Sequence, residues 1–109
     1  MNTKAAKKKK VVSYEEGLTE RLRDPEYAAQ YLNALLEDHD DDADEFFLDG
    51  LRDVAKAHGF SHLAAQTKLG RESMYKALSR DGNPKLSTLT TVLEAAGLKL
   101  SVEPKKKAV

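Results

Sequence analysis

Apolar residues recur at helical spacing through most of the chain, and short polar or glycine-containing runs punctuate them. Residues 14–22 form a short candidate helix interrupted by Gly17. At Asp24-Pro25-Glu26 the start signal is strong: Asp24 can accept from free N–H groups, Pro25 suits a first helical position, and Glu26 lies at the positive end of the dipole. Tyr27, Tyr31 and Leu35, flanked by Ala28 and Leu32, then recur to about Glu37. After the acidic run 38–45, a second helix is predicted from Ala43 to His58, with Phe47, Leu51, Val54 and Ala55 as its apolar stripe and Gly59 as its stop. Two short helices follow, Ser61–Lys68 and Arg71–Ser79, ended by Asp81-Gly82-Asn83-Pro84. Ser87 is expected to cap a last helix carrying Leu89, Val92, Leu93 and Ala96, stopped at Gly97. Residues 98–103 alternate with period two and read as one strand, which in a helical chain must pair with another copy or a partner. The fold class is therefore all-α, five to six helices with a short C-terminal β-strand.

The two short helices joined by a tight turn have the layout of a helix-turn-helix. Leu63, Ala64, Thr67 and Leu69 would face the core from the first helix and the turn, and Met74, Ala77 and Leu78 from the second. Ala64 is small where the helices approach. Gly70, Arg71, Glu72, Ser73, Tyr75, Lys76 and Ser79 remain on an outward face that could reach a DNA major groove. Arg71 and Lys76 suit guanine edges or phosphates, and Tyr75 suits a phosphate or a thymine methyl. Lys68, Arg80 and Lys85 are expected to contact phosphates around that face.

Charge sharpens this reading. The formal net charge is zero over 109 residues, with 18 basic and 18 acidic side chains, yet the signs are segregated. Residues 1–12 carry five Lys and no acid, and residues 13–59 carry fourteen acids against four basic side chains. Residues 60–102 return to six basic against three acidic, and the tail 104–109 adds three Lys. A basic C-terminal half fits a polyanion, whereas the acidic half does not. The lysine-rich arm 1–12 reads as disordered, either a solvated tail or a follower of DNA phosphates. Residues 13–59 and 60–103 read as one domain between basic ends. With no Cys, disulfide, thiolate-metal and cysteine-nucleophile chemistry are excluded. No apolar run approaches the ~20 residues of a membrane span and no signal peptide is evident, so the expected compartment is the cytoplasm.

The stretches 31–38 (YLNALLED), 47–59 (FLDGLRDVAKAHG) and 63–102 resemble the addiction-module antidote proteins, HigA-like antitoxins with a lambda-repressor/Cro-type helix-turn-helix. The segment RES-YKALS followed by GNP-LSTL carries the most specific part of the likeness. The resemblance implies a repressor-like helical fold, binding to double-stranded operator DNA of the protein's own operon, and neutralisation of a cognate RelE/ParE-type toxin. It places Ala64 at the helix-packing position and Gly70, Arg71, Glu72, Tyr75 and Lys76 on the recognition helix. Two residues depart from the pattern. Lys68 stands where Gly is preferred in the turn and would accept a positive φ, and Gly70 stands where a Ser cap is usual. A single such module makes few base contacts. A homodimer spanning half-sites about 34 Å apart is therefore expected, with Leu89, Val92, Leu93, Leu98, Leu100 and Val102 as its interface.

Other chemistry finds little support. Asp38, Asp40 and Asp42 imitate the start of a calcium loop, but Ala43 replaces the required Gly and Asp49 the bidentate Glu. The run reads instead as a solvated linker, or as a contact for a cationic toxin. His58 and His62 have zinc-ligand spacing, interrupted by Gly59 and unaccompanied by a carboxylate motif. No nucleophile elbow or phosphate-cradling loop points to an enzyme, and no cofactor is expected. Tyr27, Tyr31, Phe46 and Phe47 are assigned to the core, with a partner-binding groove as the alternative. A phage-type repressor without a toxin, and a protein-interaction module whose helix-turn-helix is only structural, are the alternative readings.

Overall fold

A computed structural model of the chain describes residues 16–37 and 41–105. The lysine arm 1–12, Tyr14, Asp38 and Asp40 of the acidic run, and the tail beyond 105 fall outside these limits. The described residues form six helices and no strand: α1 over 16–22, α2 Pro25–Glu37, α3 Ala43–His58, α4 Phe60–Thr67, α5 Arg71–Ala77 and α6 Leu86–Ala95. None of them is long and apolar enough to cross a membrane.

The local signals act as their chemistry requires. The Asp24 carboxylate accepts from the Glu26 N–H at 3.2 Å, satisfying one of the free donors at the start of α2. Gly59, at φ 90°, ends α3. At the other end of the chain Gly97, at φ 83°, ends α6, with the Gly97 N–H donating to Glu94 O at 3.0 Å and the Leu98 N–H to Leu93 O at 2.8 Å. These two bonds form a Schellman closure, which needs a residue comfortable in the left-handed region.

One core joins the elements. α2 lies along α3, while α4 packs on α3, α5 and α6. Its fully buried large side chains are Leu22, Leu51, Val54, Leu63, Met74, Leu78 and Val92. Close approach of α2 to α3 occurs at Gly50, where an added Cβ would lie 2.3 Å from Leu35 Cδ1. A larger residue there would have to displace the ends of the Leu35 and Leu32 side chains.

Several expectations are corrected. Residues 98–103 form no strand within the described chain, and the Leu98 N–H is spent closing α6. Ser87 does not cap α6; the helix begins at Leu86 after Lys85. Ser87 lies in the first turn instead, where its carbonyl accepts from the hydroxyls of Thr90 and Thr91. The buried face of α2 is centred on Ala28 and Leu32, one position round from the tyrosines, and in α3 Leu48 is buried where Phe47 is only half-buried. Tyr27, Tyr31 and Phe47 flank the core, and Phe46 is half-buried.

Candidate nucleic-acid interface

The α4–α5 pair is held by its turn. Thr67, 9% exposed, donates its hydroxyl to Ala64 O and accepts from the Leu69 N–H, both at 3.3 Å. This pair of bonds lets a polar side chain sit in the core. Lys68 then takes φ 63°, ψ 11°, and among the described residues it is the one non-glycine residue at positive φ. The substituted turn position therefore carries the strain anticipated from the sequence, of order 1–2 kcal/mol relative to Gly. Gly70 begins α5 in extended backbone, φ −65° and ψ 149°, with no side-chain cap.

α5 buries Met74 and half-buries Ala77, and Leu78 just beyond it is fully buried. Arg71, Glu72, Ser73, Tyr75 and Lys76 are all exposed. Glu72, Ser73, Tyr75, Lys76 and Ser79 line one shallow depression on this face. Tyr75 is 50% exposed, and its ring rests on Phe60 with centroids 5.2 Å apart and planes 35° apart. That contact narrows the side chain's rotamer freedom before any ligand arrives. Phe60 was not singled out from sequence. The available signal was a large apolar residue directly after a helix-stopping glycine.

The remaining expected contacts divide. Lys68 and Lys85 are exposed. Ser79 turns its hydroxyl back onto Lys76 O at 2.8 Å, closing the end of α5. Arg80 reaches across to α3, where its guanidinium donates to Asp49 Oδ2 at 2.8 Å; Asp49 Oδ1 also accepts from Arg52 at 2.5 Å. The Arg80 bond is the main reason why the Asp49 carboxyl sits below its ordinary range, against a smaller opposing effect of burial. Sequence spacing carries no sign of this pair, because its two partners lie 31 residues apart. Of the residues expected at a dimer interface, Val92 and Leu93 are buried in this chain's own core and Leu89 and Leu98 are half-buried, so Leu100 and Val102 are the exposed ones.

At the junction of α3 and α4, the His58 Nε2 is buried without a hydrogen-bond partner. Burial lowers the His58 pKa from its ordinary value, with smaller contributions from His62 and Arg23. Arg23 donates Nε–H to Ala57 O at 3.0 Å, tying the turn before α2 to the end of α3. Among the described residues no cluster of His, Asp or Glu is arranged to hold a metal ion.

Residues 13–104 match the model of a family described as probable addiction module antidote protein. An uncharacterized protein of Haemophilus influenzae is 36% identical over 86 residues, spanning 79% of this chain and 86% of that protein. No solved structure matches the chain. The family match over most of the helical domain makes this chain a member of the probable addiction module antidote proteins.

Proposed function

We propose that this chain is a DNA-binding antitoxin: it represses its own operon through α4 and α5, acting as a lambda-repressor-type helix-turn-helix, and neutralises a RelE/ParE-type toxin by direct contact. The observation that carries the DNA half of this reading is the presentation of α5. Its inward side is spent on Met74, and its outward side offers Arg71, Tyr75 and Lys76 to solvent. Arg71 and Lys76 supply cationic donors for phosphates or base edges, and Tyr75 is pre-positioned by Phe60. Gly70, Glu72 and Ser73 flank them. Lys68 and Lys85 extend the positive surface, and Arg80 joins it when its bond to Asp49 opens. As a homodimer, two copies would span successive major grooves.

Fluorescence anisotropy on the DNA directly upstream of the operon tests the reading, comparing wild type with Arg71→Ala/Lys76→Ala over a salt series. The expected result is sequence-preferring binding in wild type. In the double variant the affinity falls by 10-fold or more and the salt slope flattens by about 0.9 per lost phosphate contact. Equal binding by the two proteins would remove α5 from the DNA interface.

A further inference from the structure

A groove, more apolar at its Leu89 end than at its Leu100 end, runs between α2, the start of α3, the loop 82–84, α6 and the segment after it. Two adjoining hollows make it up, and Leu36 and Phe47 line both. Leu89 lies towards one end and Leu98 and Leu100 towards the other. Leu36 and Leu100, 46% and 47% exposed, leave apolar surface to solvent along it. The ends differ in charge. Asp44 lines the Leu89 end, where Asp41, Asp42 and Glu45 are also exposed beside it in the chain. Lys99 lines the Leu100 end. Among the described residues Asp44 and Glu45 enter no ion pair, the ion pairs there being those of Asp49.

We infer that this groove is the seat of the toxin: it takes a cationic, amphipathic segment of the toxin whose aliphatic anchor fills the space between Leu36, Phe47 and Leu89 and whose basic side chains lie along the Asp44 rim. This rests on the proposed antitoxin role. The apolar floor supplies the burial, and the carboxylates fix direction and reject acidic competitors. A second copy of this chain fits less well, because in a two-fold pairing through this groove the one basic side chain that its lining brings to Asp44 is Lys99. The groove shares no residue with the depression on α5. Toxin and DNA can therefore be held on different surfaces of one chain.

The test measures the affinity of the full chain for the purified toxin of its own operon, using Leu36→Lys and Asp44→Lys. Both positions are exposed, and circular dichroism together with operator binding checks that the variants fold. Leu36→Lys is expected to weaken toxin binding at least 10-fold. Asp44→Lys is expected to weaken it several-fold and to flatten its salt dependence, with operator binding unchanged in both. Wild-type toxin affinity in both variants would overturn the groove assignment while leaving the antitoxin role intact. Conversion of a dimer to a monomer with toxin affinity retained would also overturn it, assigning the groove to a second copy. A wild-type chain that does not bind the toxin at all would overturn the antitoxin role itself.

Discussion

α3 and α5 differ in what their residues are spent on. α3 is sixteen residues long and buries Leu48, Gly50, Leu51, Val54, Ala55 and Ala57, so its sequence is committed to the core. α5 is seven residues long and buries Met74 alone. A helix of that length does not persist by itself, because nucleation costs more than two turns return. Its conformation is borrowed from the packing of α4 and from the Thr67 bonds in the turn. That division leaves most of α5's surface free for a ligand, while α3 carries the stability on which the presentation depends. Arg80 ties the two: a residue just beyond α5 is restrained by a carboxylate of α3.

Removing a core side chain from α3 should break the contrast most severely. Leu51→Ala, at a position 0% exposed, is expected to cost about 2–5 kcal/mol in thermal or urea unfolding. Arg71→Ala should stay within about 0.5 kcal/mol of wild type. Similar losses for the two would mean that α5 is not a presented surface.

Acid should act on the α3 end of the comparison. Because the His58 pKa is lowered in the folded chain, the unfolded chain binds the proton first as pH falls. Stability from this group is whole above about pH 6.5, the unfolded value, and declines below it until the folded pKa is passed. The slope is at most about 1.4 kcal/mol per pH unit for one proton. Melting curves from pH 7.5 to 5 should show a decline that His58→Gln reduces; an identical decline in the variant would assign it to other groups.

Releasing Arg80 should sharpen the contrast from the other direction. Asp49→Asn removes the charge that holds the guanidinium on α3, and operator affinity at low salt is expected to rise several-fold, with the salt slope steeper by about 0.9. An unchanged slope would leave Arg80 outside the DNA interface. The smallest effect is expected at Gly70. Its backbone is extended and an added Cβ would meet Ser73 Oγ at an ordinary 3.8 Å, so Gly70→Ser should fit and supply the missing cap. A gain of about 0.3–1 kcal/mol in unfolding free energy is expected.

By itself the sequence determined the helical class, the limits of α2 and α3 and the α4–turn–α5 pattern. Those features arise from local chemistry: Asp24 and Pro25 start a helix, and Gly59 and Gly97 stop one. The resemblance to antidote proteins was likewise legible in contiguous residues, from YLNALLED through to the segment after α6. Only the tertiary structure decided which face of α2 turns inward, that Leu22 and Leu48 are core, and that the Leu98 N–H closes α6. It also decided that Phe60 supports Tyr75, that Asp49 holds Arg80 and that Leu36, Phe47 and Leu89 line one groove. These depend on residues distant in the chain, where periodicity carries no information about partners: spacing shows which positions share a face, and packing alone shows what that face meets.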